Sequence, residues 1–303
     1  MSSDICKIIN DADLSVYSSM KTGGKAKTLY LPESADELKR IIKHFKNNDT
    51  RYLILGNLSN VLIPDEGIDV PVVITAGVKA ISVVSETDDE ALVSAECGVS
   101  FTKLSMDMCR RGFSGLEFAY GIPGSVGGAA FMNAGAYSGE FSCSVEYICV
   151  LDRNAKEVIR EKSDCGFGYR KSVFSDNGDC VLSAAFRLQK KEPEVCINQA
   201  KEYMSRRIEK QPLEYPSCGS AFKRPKDSFA GKLIEDAGLK GYSIGGACIS
   251  EKHAGFVINK GKATTADVIN LMTSVREKVF KDSGIMLKPE ICILNKNGEK
   301  IHI

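Results

Sequence analysis

The run Gly121-Ile122-Pro123-Gly124-Ser125-Val126-Gly127-Gly128-Ala129-Ala130 decides how this chain can fold, and small residues continue beyond it through Met132-Asn133-Ala134-Gly135-Ala136. A flat or extended ligand can approach main chain of this kind closely, because no bulky side chain stands in the way. Close packing of two structural elements explains the same run, and the residues alone leave both readings open. The uncharged stretch around it, residues 118–139, is long enough to cross a bilayer. Its glycines, Pro123 and Asn133 make it a poor helix former and only weakly apolar, so no membrane span is expected.

Outside this stretch the chain reads as globular. Its 303 residues, 43% of them hydrophobic, suffice for a sizeable core and for two or three packed units. Lys+Arg 40 against Asp+Glu 39 leaves a formal charge of +1, so no basic surplus offers a partner surface to nucleic acid. The 11 cysteines are scattered and odd in number, with no Cys-x-x-Cys pair. They read as reduced core thiols of a reducing compartment rather than as a disulfide scaffold. Residues 1–11 hold no apolar stretch of secretory length, and a cytoplasmic location is expected.

Periodicity supplies the elements. Residues 34–45 read as an amphipathic helix with a Ser34/Glu37 capping box, followed by a strand at 52–55, a turn at 56–60 and a strand at 70–75. Strand-like runs then dominate at 80–84, 91–95, 147–151, 157–160 and 181–188, with a hairpin turn at 152–154 and one helix, 101–111, ended by Gly112. After the charged break at 189–193, the spacing predicts helices over 195–208, 230–237 and 266–282. A final hairpin, 291–294 with 300–303, is expected to close on Asn297-Gly298 as a type I′ turn.

Chemistry has few places to sit. Leu55-Gly56-Asn57-Leu58-Ser59-Asn60 follows a strand, and Gly and Asn tolerate the conformations in which successive N–H groups converge on an anion, although a plain turn fits equally well. Neither small-residue segment is G-x-G-x-x-G or G-x-x-x-x-G-K-[ST], so Rossmann and P-loop sites are not supported. His44, His253 and His302 stand apart from any Cys or carboxylate at ligand spacing, so no metal is expected and a Ser-His-Asp triad is disfavoured. His253, in Glu251-Lys252-His253-Ala254-Gly255, reads as structural or as a substrate neighbour. Arg170, Ser220 and Glu290 each sit beside glycine or proline in turn-like surroundings, and singly each reads as a surface or capping residue.

Together, several motifs resemble the UDP-N-acetylenolpyruvoylglucosamine reductase family. They are Lys21-Thr22-Gly23-Gly24 with Ala26, Leu55-Gly56 to Asn60, Gly115-Leu116-Glu117-Phe118 through Gly128, and Phe167-Gly168-Tyr169-Arg170-Lys171-Ser172. Downstream come Pro216-Ser217-Cys218-Gly219-Ser220 with Phe222-Lys223, Ala230-Gly231-Lys232-Leu233-Ile234, Gly241 with Ile244-Gly245-Gly246, Lys252-His253-Ala254-Gly255-Phe256 and Pro289-Glu290. They run in family order from about residue 20 to residue 292.

The resemblance implies an α+β protein: a two-lobed FAD-binding module of the vanillyl-alcohol-oxidase (PCMH) type, plus a C-terminal α+β substrate domain. On that basis residues 1–76 form a first FAD lobe, 77–190 a second, with the FAD-binding region at about 23–188, and 191–303 the substrate domain. FAD is held without a covalent bond by Leu55, Gly56, Asn57, Leu58, Ser59 and Asn60 and by Gly121, Ile122, Pro123, Gly124, Ser125, Gly127 and Gly128. NADPH is the co-substrate and a UDP-sugar enolpyruvyl ether the substrate, with no nucleic acid or membrane partner; a monomer is expected.

The implied reaction has two halves, in which NADPH reduces FAD and the enolpyruvyl ether then takes a hydride from flavin N5. Arg170 is suited to hold the substrate carboxylate, since a guanidinium cannot lose its proton. Ser220 matches the family's proton donor, with the more acidic Cys218 as rival, and Glu290 would face the same group from the Pro-Glu motif. Tyr169 is expected to line the site, and Lys210 and Arg224 to meet the UDP diphosphate.

Two departures stand out. Asn57 and Leu58 occupy positions where the family more often has glycine, and the short interval from Arg170 to Ser220 matches the family's second type, which lacks a tyrosine-bearing closing loop. A flavin oxidase on the same module, or a colourless nucleotide-binding module, are the competing readings.

Overall fold

Alternating side chains give Glu90–Glu96 one buried face, made by Ala91, Val93 and Ala95. In the computed structural model, which describes residues 6–303, this strand sits inside a six-stranded antiparallel sheet. The path runs Glu157–Glu161, Val145–Leu151, Cys180–Lys190, Glu90–Glu96, Ile81–Glu86, and Phe113–Ser114 pairs with the end of Cys180–Lys190. The expected turn after Leu151 is closed by the Asp152 carboxylate, which accepts the N–H groups of Asn154 (2.8 Å) and Lys156 (2.9 Å).

The chain falls into two units. One comprises the described residues as far as Ile8, Tyr30–Asn57 and Val73–Arg207; the other comprises Ile9–Leu29, Leu58–Val72 and Ile208–Ile303. A further, four-stranded sheet has the order Lys7–Asp13, Lys25–Leu31, Val72–Ile74, Leu53–Leu55.

The first unit holds the six-stranded sheet and helices α1 (Ala35–Asn47), α2 (Phe101–Arg110), α3 (Val126–Met132), α4 (Phe141–Ser144) and α5 (Pro193–Lys210), the last of which runs on past Arg207. Leu38, Ile41, Ile42 and Phe45 form the buried stripe of α1. Ser34 caps this helix by accepting the Glu37 N–H, while the Glu37 carboxylate reaches back to the Glu33 N–H rather than to that of Ser34. Around α2 and α4 the core is aromatic. Phe101 lies 6.0 Å from Phe118 and 5.9 Å from Phe141, and Phe141 meets Phe186 edge-on at 5.2 Å. Each ring removed from water contributes on the order of 1.5–3 kcal/mol.

The second unit carries α6 (Ala230–Asp236) and α7 (Thr265–Ser283), an antiparallel sheet in the order Ser217–Ser220, Phe256–Asn259, Ala247–Ile249, Ser243–Ile244, and a smaller sheet in which Cys292–Leu294 pairs with both Lys300–Ile301 and, in parallel, Val61–Leu62. Thr264 and Asp267 cap α7 reciprocally, and the Asp65 carboxylate adds bonds from the N–H groups of Thr265 (2.8 Å) and Ala266 (2.9 Å). Met20 and Leu62 belong to the same buried cluster as Ile234, Val257, Leu271 and Val275.

Several sequence expectations change. The final turn is not a two-residue type I′ loop. Asn295 and Glu299 close it, and of the expected pair only Gly298 takes a positive φ, +73°. This is the geometry of a three-residue loop ending in a left-handed glycine. The strands Lys7–Asp13 and Lys25–Leu31 were not foreseen, and the uncharged stretch at 118–139 becomes a 3-10 turn, α3 and a small hairpin, Gly135–Ala136 with Gly139–Glu140. Among the described residues no helix is long and apolar enough to cross a membrane. All 11 cysteines are free; eight are buried, and Cys143 is exposed.

Candidate functional site

Within the first unit, the two small-residue segments meet. A Cβ built on Gly56 would lie 2.4 Å from Ser125 Oγ, closer than atoms can approach, so glycine is what lets the turn after Leu53–Leu55 rest on the start of α3. Ser125 is buried and caps α3 through Gly128 N–H at 3.3 Å. The N–H groups of Val126 and Gly127 donate to the carbonyls of Val99 (2.9 Å) and Cys97 (2.8 Å), and Gly124 C=O accepts from Phe101 N–H at 3.0 Å. Gly127 therefore serves by leaving room, since its N–H is already committed. A Cβ on Gly121 would meet Met204 Sδ at 2.7 Å and Arg207 Nε at 2.9 Å. Close packing, left open by the residues alone, applies at Gly56 and Gly121.

Leu58 shows what became of the departure in the first turn. It adopts φ +46° and is buried, so a branched side chain holds a left-handed conformation that glycine would take without strain. In the second unit, Asn60 Nδ2 donates to Glu290 C=O at 3.3 Å, and Asn60 C=O accepts Cys292 N–H at 3.0 Å.

Arg170 sits in the first unit on a tight turn in which Gly168 and Lys171 exchange backbone hydrogen bonds at 3.0 and 3.1 Å. It too is left-handed, φ +54°. Side chains from the end of α3 hold this turn. Asn133, fully buried and left-handed (φ +44°), donates through Nδ2 to Gly168 C=O at 3.1 Å and accepts Ser142 N–H at 3.0 Å, while Ser172 Oγ donates to Phe131 C=O at 2.8 Å. Arg170 Nη2 in turn donates to Gly135 C=O at 3.0 Å, and its guanidinium lies 5.0 Å from the ring centroid of the exposed Tyr169. Tyr169 thus lies against Arg170.

Ser220 and Glu290 come together in the second unit. Ser220 ends the strand Ser217–Ser220, paired in register with Phe256, and between Ser217 and Ser220 the pairing slips at Gly219, whose φ is +73°. This bulge sends neighbouring side chains to different places. Cys218 is buried, its Sγ donating to Val61 C=O at 3.5 Å, and burial pushes its thiol up to about 12. Ser220 is exposed. Cys218 is therefore poorly suited to give up a proton. Immediately after Ser220, Ala221 C=O accepts Glu290 N–H at 2.9 Å, Phe222 bridges to Pro289, and Lys223 N–H donates to Lys288 C=O at 2.8 Å.

The remaining expected contacts are less built. Lys210, at the end of α5, is exposed, and Arg224, also exposed, lays its guanidinium 4.1 Å from the Phe229 ring centroid. Sequence reading overlooked Asn133 as the anchor of the Arg170 turn. Its place in the small-residue run was visible, but a buried amide serving two loops leaves no local pattern.

Comparisons with known proteins find relatives of the whole chain. Residues 211–294 fit the family model described as UDP-N-acetylenolpyruvoylglucosamine reductase, C-terminal domain, and residues 26–158 fit the FAD binding domain model. The chain is 45% identical over 287 residues to the UDP-N-acetylenolpyruvoylglucosamine reductase of Caldicellulosiruptor saccharolyticus, covering 94% of this chain and 91% of that one. Against the enzyme of the same name from Clostridium beijerinckii it is 45% identical over 283 residues, covering 93% and 91%. A crystal structure of UDP-N-acetylenolpyruvylglucosamine reductase from Thermus caldophilus superposes with a TM-score of 0.80 at 31% identity, over 95% of this chain and 98% of that one.

Proposed function

The chain belongs to the UDP-N-acetylenolpyruvoylglucosamine reductase family, and from that premise we propose that it reduces the enolpyruvyl ether of UDP-N-acetylglucosamine to UDP-N-acetylmuramate with NADPH, a step in peptidoglycan precursor synthesis. FAD, when bound, supplies the hydride that reaches the ether. The residues present fit it. Gly56 lets the turn at 55–60 rest directly on Ser125 at the start of α3, and the main chain of these two meeting segments is the proposed cradle for the dinucleotide. Leu55 to Asn60 and Gly121 to Gly128 are the proposed contacts.

Arg170 is proposed to bind the substrate carboxylate and stabilise negative charge that develops beside it. Its planar fork and permanent charge suit that role, and the anchored turn suits it further, because a donor fixed in advance needs no reorganisation during reaction. Ser220 is proposed to deliver the proton to the substrate α-carbon, with Glu290 facing the same group. Tyr169 would line the pocket beside Arg170, and Lys210 and Arg224 would meet the diphosphate. A cytoplasmic, monomeric enzyme is the accompanying proposal.

The observation that carries this reading is the backbone bond from Glu290 N–H to Ala221 C=O, which makes neighbours of two motifs far apart in sequence. Stopped-flow spectroscopy of Ser220→Ala tests it. Flavin reduction by NADPH should proceed at nearly the normal rate while reoxidation by the enolpyruvyl substrate all but stops. Equal loss in both halves would remove Ser220 from proton delivery, and a purified protein with no flavin spectrum would remove the reaction itself.

A further inference from the structure

His253 has no part in the chemistry above, yet it is tied to the strand that carries Ser220. Its half-buried imidazole packs edge-on against Phe256, with centroids 5.0 Å apart, and Nδ1 accepts the Gly255 N–H at 3.0 Å. Two glycines wall the ring in. A Cβ on Gly255 would stand 2.9 Å from the imidazole Cε1, and one on Gly231, in α6, 3.2 Å from the same atom. The ring cannot shift toward either without a clash if those residues gain side chains.

The other end of Gly255 holds the site. Its C=O accepts Ala221 N–H at 2.8 Å, and Ala221 C=O accepts Glu290 N–H at 2.9 Å. Hydrogen bonds thus step from the imidazole to Gly255, to the residue beside Ser220, and on to Glu290. The segment before Gly255 is itself pinned, since Ser250 Oγ accepts the N–H groups of Lys252 and His253, both at 3.2 Å.

We propose that His253 is a positioning residue for Ser220: its Nδ1, by accepting the Gly255 N–H, fixes the carbonyl from which the Ser220 strand hangs. The proposal rests on the reading of Ser220 as proton donor. An accepting Nδ1 requires the neutral ring with its proton on Nε2. Burial favours that form and lowers the imidazole's affinity for a second proton; a hydrogen bond to the residue's own backbone acts against it, Lys240 with it and Glu235 against it, and the last two are themselves paired at 2.7 Å. Protonation of the ring would abolish the acceptor and release Gly255.

Two substitutions in the full-length, FAD-loaded protein test this. Asn at 253 can place an amide oxygen where Nδ1 accepts, whereas Leu offers similar bulk and no acceptor. For His253→Leu, reduction by NADPH should stay normal while reoxidation by substrate slows about tenfold, the size of effect expected from one lost hydrogen bond. Its solvent deuterium isotope effect on reoxidation should rise, because proton delivery is the step disturbed. His253→Asn should restore most of the rate and lack the acid limb that the His253 imidazole is expected to give wild-type reoxidation. Reoxidation by His253→Leu at the wild-type rate, or equal slowing in both variants, overturns the proposal; if His253→Leu does not fold, a slow His253→Asn does so alone. Ser220→Ala serves as the separate control. Normal reoxidation there would defeat the Ser220 reading, whereas a slow Ser220→Ala beside an unaffected His253→Leu would defeat only the role given to His253.

Discussion

The turn bearing Arg170 and the strand bearing Ser220 are held in place by different means. Around Arg170 the anchors are side chains: Asn133 on Gly168, Ser172 on Phe131, and the guanidinium itself on Gly135. Around Ser220 and Glu290 most anchors are main-chain bonds through Ala221, Gly255 and Lys223, with the Asn60 amide on Glu290 C=O as a side-chain addition. Side-chain anchors can be deleted one at a time, while a backbone ladder persists through most substitutions. Mutation should therefore loosen the first place easily and reach the second mainly through residues that shape the backbone, such as Gly219 and His253.

The largest expected effect tests the Arg170 turn directly. Arg170→Lys keeps the charge but loses the planar fork, and steady-state turnover should fall by roughly a hundredfold or more. Undiminished turnover would exclude Arg170 from substrate binding. Next comes Asn133→Ala, which leaves the buried Ser142 N–H and the half-buried Gly168 C=O without this partner. A loss of about 2–4 kcal/mol in urea unfolding is expected, accompanied by slower turnover. Wild-type stability in that variant would mean that the turn does not depend on the amide.

In the ladder, Gly219→Ala has open space for its methyl group but must adopt φ +73°. The strain predicts a loss of about 1–2 kcal/mol, read as a lower urea midpoint. If the bulge flattens instead, Ser220 is displaced and substrate-driven reoxidation slows more than stability falls, which would contradict a purely conformational cost.

The smallest effect is on pH. Burial holds the His253 imidazole below its ordinary value of 6.5, so the unfolded chain takes up its proton first. The stability this provides is fully present above the unfolded value and is lost as pH falls from there through the folded one. A shallow decline of the urea midpoint over that interval, absent in His253→Asn, is the expected result, and identical slopes would dismiss the linkage.

Much of this was legible before any coordinates. The stripe of α1 with its Ser34 cap, the alternation of Glu90–Glu96 and the long runs of α5 and α7 follow from local periodicity, and the structure keeps them within a few residues. The three motifs bearing Arg170, Ser220 and Glu290 were legible as residues. Their supports were not. Lys7–Asp13 and Lys25–Leu31 carry charged residues along strands whose partners are distant, and the turn at Tyr137-Ser138 takes two left-handed conformations without a glycine in either place. That Ser220 escapes the core while Cys218 enters it depends on a single slipped pair at Gly219, which composition does not announce.

The second unit draws its core from three separated lengths of chain, so its assembly has a schedule. Met20 and Leu62 leave the ribosome long before Leu271, Val275 and Ile293, the apolar side chains with which they share a cluster. Until Cys292–Leu294 emerges, Val61–Leu62 has no parallel partner and must wait as an unpaired edge. A chain ending just short of Cys292 would strand the early segments, and such a product should be aggregation-prone. Nor should a fragment beginning at Ile208 be a self-sufficient domain, since part of its interior is encoded near the opposite end of the message.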